Sequence, residues 1–350
     1  MWLGGCCLTT FTAHTLRQGF TNKGHMGQQL MAPHTGCTRR SFTTAGVGLL
    51  ASAAVPQLSG QRACANETEA AASHGVVDAH VHVWTPDLDR YPLADRFTKA
   101  DMQPASFTAD ELLAAARPLG IARVVLIQMS YYGFDNRYML DCMAAHPGVF
   151  GGVAIVDPEQ ADVADTMREL AARGVRGFRL YTNREKAEAW QHSEGIKRMW
   201  AAGAEQNLAM CLLADPDALP AVETMCEAFP NTPVVIDHFA RIGMRGAVDS
   251  QQLALLCDLA RFPTVHVKVS AYYALGRKQP PYDDLQPMIR QLRDAYGAQR
   301  LMWASDGPFQ LAEGQGYEPS LALIRNRCRF LTAADRDAIL HGTAGRLFYG

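Results

Sequence analysis

The first 65 residues of this 350-residue chain hold no aspartate and no glutamate. Arg17, Lys23, Arg39, Arg40 and Arg62 stand there without a counter-charge, so the segment does not read as part of a mixed-charge globular domain. Beyond it, no stretch reaches the ~20 apolar residues of a spanning helix, and no stable membrane insertion is expected. Basic runs are also missing. Setting those five cations aside from the 33 Lys and Arg leaves 28 against 35 acids, about −7 in all, and no nucleic-acid partner is expected. Cysteine is uninformative: Cys142, Cys211, Cys226, Cys257 and Cys328 are odd in number and form no CxxC pair.

The acid-free leader has an internal order. TRRSF (38–42) precedes the short apolar run TTAGVGLLASAAV, and ACA follows at 63–65. A basic pair, an apolar segment and small residues are the layout of a secretory signal. The paired arginines with a following Phe resemble the twin-arginine export signal, read by machinery that carries folded proteins. Residues 1–65 are therefore expected to be a signal peptide for periplasmic export, with translation starting at Met26 or Met31. Residues 66–350 are expected to form one domain.

From residue 76, β-branched runs alternate with amphipathic segments. Strands are expected at 76–84, 123–131, 149–157, 175–182, 208–214, 232–240, 264–272 and 301–309. Helix-like stretches such as FTADELLAAARPLG and QQLALLCDLARF lie between them. Eight βα units point to a (β/α)8 TIM barrel. The doubly wound alternative would show a glycine-rich phosphate turn after its first strand, and none is present.

The first strand, VVDAHVHVW, raises the functional question. Strict alternation puts Asp78, His80 and His82 on one face, so it is a chemical site or an unusually polar core. Barrel enzymes take their catalytic groups from the carboxyl ends of the strands. Those ends supply Arg179 and Tyr181, Asp237 and His238 with Arg241 beyond, Ser270 with Tyr272, and Ser305 with Asp306. Tyr131 and Tyr132 follow strand 2 as aromatics that would shape a pocket. His266 and Lys268 lie mid-strand and read as structural. The connection 85–107 follows strand 1 and is either a lid over the mouth or a surface excursion.

The DxHxH at 78–82, VVIDHFA at 234–240 and LMWASDGPF at 301–309 resemble the amidohydrolase-related family of the amidohydrolase superfamily. VVLIQMSYYGFDNRYMLDCMAAHPGVFGGVAIVDP (124–158) is especially similar to its lactonase branch, and ILHGTAGRLF (339–348) to the family's closing helix, with Thr343 in place of the usual Asn. The resemblance implies a hydrolase with His80, His82, His238 and Asp306 in its site. It also exposes two departures: LAMCLLA lacks the strand-5 His of metal-dependent relatives, and GFRLY lacks the strand-4 Lys of binuclear ones. A single divalent ion, zinc, on His80, His82 and Asp306 remains compatible with this pattern, as does catalysis with no metal. The expected reaction is opening of a small carboxylated lactone. Asp306 takes a proton from water, the three imidazoles polarise the carbonyl, and Arg179 and Arg241, with Tyr181, Tyr131 and Tyr132 around them, bind the anionic substrate. The alternatives are a metal-dependent non-oxidative decarboxylase and a non-catalytic periplasmic binding protein.

Overall fold

Eight parallel strands follow one another in sequence order around a single sheet. They are β1 (Val76–Val81), β2 (Ile121–Ile127), β3 (Phe150–Ala154), β4 (Val175–Thr182), β5 (Ala209–Ala214), β6 (Val234–Ile236), β7 (Val265–Val269) and β8 (Leu301–Trp303). The computed structural model describes residues 75–350, so the expected signal segment 1–65 lies outside the described residues. Helices occupy the intervals, and their starts are chemically marked. Thr108 caps helix Ala109–Ala116 in a capping box with Glu111, and Ser193 caps helix Glu194–Gln206.

The ring closes between β8 and β1. Val81 bridges Gly307 in parallel, the Asp306 N–H donates to His80 O at 2.9 Å, and the His82 N–H donates to Gly307 O at 2.8 Å. The outer strand faces pack against the helices. The inner faces form a separate core in which Val77, Ala79, Val125, Val153, Cys211, Val235 and Met302 meet Ala344 and Phe348. Those last two belong to helix Thr343–Tyr349, which floors the barrel by packing on β1, β3, β4 and β8. The result is the TIM-barrel architecture expected from the spacing of the strands.

Two details differ from strict strand alternation. The β1–β2 register slips between Asp78 and Val81, where three steps on β1 span two on β2. That bulge re-aims the strand. Val77 and Ala79 already face the interior, so Asp78 does not share the face of His80 and His82. Its carboxylate instead accepts from the Ser305 N–H at 2.8 Å, the Tyr317 hydroxyl at 2.7 Å and the His80 N–H at 3.2 Å. Burial pushes the Asp78 carboxyl up to about 6 against these bonds. The second difference is length: β6 and β8 are three residues each, because the chain leaves the sheet before His238 and Asp306.

Asp78 thus bolts the seam where backbone pairing is sparse. Asp78→Ala leaves three buried donors without this acceptor, and a loss of about 3 kcal/mol is expected. Tyr317→Phe removes one of these donors and leaves the two bonds to Asp78 Oδ1 in place, and is expected to cost about 1 kcal/mol. Urea unfolding of the two variants measures both, and equal effects would remove this role from Asp78.

Candidate active site

Several polar side chains at the mouth are delivered by departures from ideal strand geometry, while Arg179 projects from the regular strand β4. The β1 bulge turns His80 inward beside His82. Asp306 follows β8 at φ 67°, a left-handed conformation that few non-glycine residues adopt and that aspartate tolerates better than most. After β6 the backbone makes a buried left-handed turn, with His238, Phe239, Ala240 and Arg241 at φ 52°, 55°, 52° and 61°. Each such residue costs about 1–2 kcal/mol. The turn is held by Ala240 N–H donating to Asp237 O and by complete burial of Phe239 and Ala240. Strain concentrated beside a cluster of ionisable groups is characteristic of functional sites.

The cluster is tight. His80 Nε2 lies 3.2 Å from His82 Nε2, and each lies 3.5 Å from Asp306 Oδ1. His238 Nε2 approaches Asp306 Oδ2 at 3.8 Å. Behind them, Lys268 Nζ sits 3.2 Å from His80 Nδ1 and 2.9 Å from Asp237 Oδ1. Arg179 reaches Asp237 Oδ2 and His80 Nε2 at 3.5 and 3.2 Å. Two carboxylates therefore face two fixed cations inside the barrel.

The partners assign the protons. His82 Nδ1 can only donate to Ile127 O, 3.0 Å away, which leaves a lone pair on Nε2. His80 is flanked by donors at both ring nitrogens, Lys268 Nζ at Nδ1 and Arg179 Nη1 at Nε2, each 3.2 Å away. The Ser270 hydroxyl lies 2.8 Å from His238 Nδ1, nearer than its other acceptor, Lys268 O, at 3.4 Å. An ionised Asp306 can only accept, so His238 presents Nε2–H to it, and Nδ1 is then the acceptor for Ser270. Burial, reinforced by Lys268, drives His80 well below its usual value, and burial takes His238 down to about 4, so both are neutral near pH 7. Asp306 goes the other way. Burial opposes its charge, yet His238, His82 and His80 hold the carboxyl well below its ordinary range.

The donor set also has the spacing of a metal site. Tetrahedral zinc with bonds near 2.0 Å separates its ligand atoms by about 3.3 Å. The His80–His82–Asp306 triangle, at 3.2, 3.5 and 3.5 Å, fits that edge. The His80, His238 and Asp306 donor atoms also lie within 4.8 Å of one another.

His80, His82, His238, Asp306 and Arg179 thus come together. Tyr181, 40 % exposed, lies at the rim with the Arg179 guanidinium 4.8 Å over its ring. Arg241 follows the left-handed turn and pairs with Asp215 at 2.7 Å. Tyr131 and Tyr132 are buried, and their hydroxyls bond the backbone of Asp101 and Thr85. With the Trp84–Pro104 bond and the Trp84–Phe107 bridge, they tie segment 85–107 to the barrel.

Three participants escaped the sequence reading. Lys268 was placed with structure, although it faces His80; its alternation with Ser270 on β7 is the signal that could have found it. Asp237 was noted at its strand end without a role, and it anchors both cations. Tyr273 was passed over for Tyr272, yet its hydroxyl donates to Asp306 Oδ2 at 2.7 Å. The Tyr272 hydroxyl turns back to Val269 O in the core.

Comparison with known proteins identifies the family to which this barrel belongs. The 4-sulfomuconolactone hydrolase of Rhizobium radiobacter is 30% identical over 258 residues, covering 73% of this chain and 83% of its own. The 2-pyrone-4,6-dicarboxylate hydrolase of Comamonas testosteroni is 31% identical over 247 residues, covering 67% of this chain and 77% of its own. A crystal structure of an amidohydrolase from Burkholderia multivorans with bound zinc shares the fold, with a TM-score of 0.66 and 21% identity over 78% of this chain and 99% of that one. The amidohydrolase family model matches residues 77–349. The chain belongs to the amidohydrolase family.

Proposed function

We propose that this chain is a lactonase that opens a small anionic lactone by attack of water on the ring carbonyl. The observation that carries the reading is Arg179. It is only 4 % exposed, its Nε is buried with no hydrogen-bond partner, and it lies against the Asp306–imidazole cluster. A buried guanidinium with an unspent donor calls for an anionic ligand at that point. The relatives' names describe hydrolases of lactones bearing sulfonate or carboxylate groups, which supports the same substrate class.

The chemistry follows from the proton assignments. Asp306, held ionised, accepts a proton from water as the oxygen attacks, and returns it to the ring oxygen when the tetrahedral adduct collapses and the acyl C–O bond breaks. The neutral His238 Nε2–H faces the same space and donates to the carbonyl oxygen as negative charge grows there. His80 and His82 flank Asp306 Oδ1, with the Lys268 ammonium behind His80. Arg179 holds the substrate anion, Arg241 adds a second cation at the rim, and Tyr181 gives the guanidinium a flat support. Tyr131 and Tyr132 shape the mouth by holding segment 85–107 in place.

His80, His82 and Asp306 are the residues that would hold a single divalent ion such as zinc. When bound, it would act as a Lewis acid on the carbonyl. We propose that turnover does not require it, because Arg179 and Lys268 already balance Asp237 and Asp306. Full activity is expected after dialysis against a strong chelator, with metal content checked by elemental analysis. Activity lost to chelation and restored by zinc would favour a metal-assisted reaction, including the decarboxylase reading.

Two substitutions test the assignments. Asp306→Asn is expected to lower kcat by about a thousandfold or more while the fold is retained, as for loss of a catalytic base. Arg179→Met is expected to raise KM for carboxylated lactones by ~10- to 100-fold and to leave neutral lactones nearly unaffected. Steady-state kinetics over a lactone panel reads both. Turnover retained in Asp306→Asn would overturn the mechanism, and binding without turnover across the panel would favour a binding protein.

We also propose export to the periplasm through the twin-arginine machinery, supported by Arg39 and Arg40 ahead of the apolar run. Replacing both arginines by lysine is expected to leave tagged protein in the cytoplasmic fraction. Unchanged periplasmic accumulation would sink this proposal.

A further inference from the structure

None of the imidazoles makes the shortest contact to the Asp306 carboxylate. His80, His82 and His238 stand 3.5, 3.5 and 3.8 Å away, whereas the Tyr273 hydroxyl lies 2.7 Å from Oδ2. The carboxylate torsion of an aspartate is intrinsically broad, so rotamer preference does not fix which oxygen faces the mouth. The left-handed backbone at Asp306 fixes only where the side chain starts. One strong bond, from Tyr273, sets its rotation.

Tyr273 is itself held at both ends. Its N–H donates to Gln310 Oε1 at 3.3 Å, and the fully buried Gln310 donates from Nε2 to the Tyr282 hydroxyl at 2.7 Å and to Gly316 O at 3.3 Å. The Tyr282 hydroxyl in turn donates to Gln315 Oε1 at 2.7 Å. These bonds brace the segment after β7 against the segment after β8. The Tyr273 ring also packs on Phe309, with centroids 6.4 Å apart. Burial and the neighbouring carboxylate push the phenol far above its ordinary value, so it remains a donor at any working pH.

We propose that Tyr273 is a positioning residue for Asp306, whose Oδ2 it engages so that Oδ1 is the oxygen presented to the attacking water beside His80 and His82. Tyr273 acts through Asp306, and the inference rests on the reading of Asp306 as the base. A residue in this role contributes to kcat more than to substrate affinity, because a misdirected base slows proton removal without disturbing Arg179.

The test is Tyr273→Phe in the purified enzyme, with Tyr272→Phe as its neighbour control. Tyr273→Phe is expected to lower kcat by ~10- to 100-fold, with KM within about twofold and the Tm nearly unchanged. Tyr272→Phe removes a hydroxyl that bonds only Val269 O, so it is expected to lower the Tm and leave kcat intact. Wild-type kcat in Tyr273→Phe, or kcat and Tm falling in parallel in both variants, would overturn the proposal. Asp306→Asn separates the two claims: turnover retained there overturns the base assignment and this inference with it. An inactive Asp306→Asn beside a fully active Tyr273→Phe overturns this inference alone.

Discussion

The closure of the barrel between β8 and β1 governs the site. The same short stretch that brings the Asp306 N–H to His80 O and the His82 N–H to Gly307 O also brings the Asp306 carboxylate to both imidazoles. Few backbone bonds make that seam, and Asp78 supplements them from the outer side through Ser305 and Tyr317. Stability and site geometry are therefore set by one set of contacts. A ligand that bridges Asp306 and the HxH pair would also hold the ring shut, and its binding would raise the stability of the whole domain.

Around that seam the electrostatics are arranged in two layers. The deeper layer, Asp237 with Lys268 and Arg179, is almost sealed from solvent and surrounds His80, where burial and Lys268 disfavour a charged imidazole. Taking such charges out of water is costly and is tolerated because each has a partner within the barrel. The shallower layer holds the groups proposed to meet substrate. Arg179 belongs to both, with Nη1 on Asp237 and His80 and a buried Nε that has no acceptor, so the proposed lactonase would use one cation for structure and recognition together.

Much of this was legible in the sequence, and the limits have physical causes. Strand periodicity, turn residues and caps set the eight βα units, and barrel geometry then told where to look for chemistry. His80, His82, His238 and Asp306 were found because polar side chains at strand ends are hard to ascribe to packing. The β1 bulge was hidden, since one extra residue leaves the run VVDAHV looking like regular alternation, and Asp78 was assigned to the wrong face. Tyr273 could not be separated from Tyr272, because which of two adjacent tyrosines turns inward depends on a left-handed residue, Ala271 at φ 55°. Lys268 reads as structural because its mid-strand position outweighs the one signal it carries, its alternation with Ser270.

The turn from His238 to Arg241 has a bearing on how the sequence can drift. DHFAR contains no glycine, yet four successive residues adopt a backbone that glycine tolerates far better. At an ordinary position a change from Ala240 to Gly would weaken the fold; here it would relieve local strain and at the same time loosen the grip on His238. Selection for stability and selection for placement thus pull in opposite directions at these residues. The non-glycine side chains Phe239 and Ala240, fully buried, mark a segment in which rigidity has been kept at the expense of conformational ease.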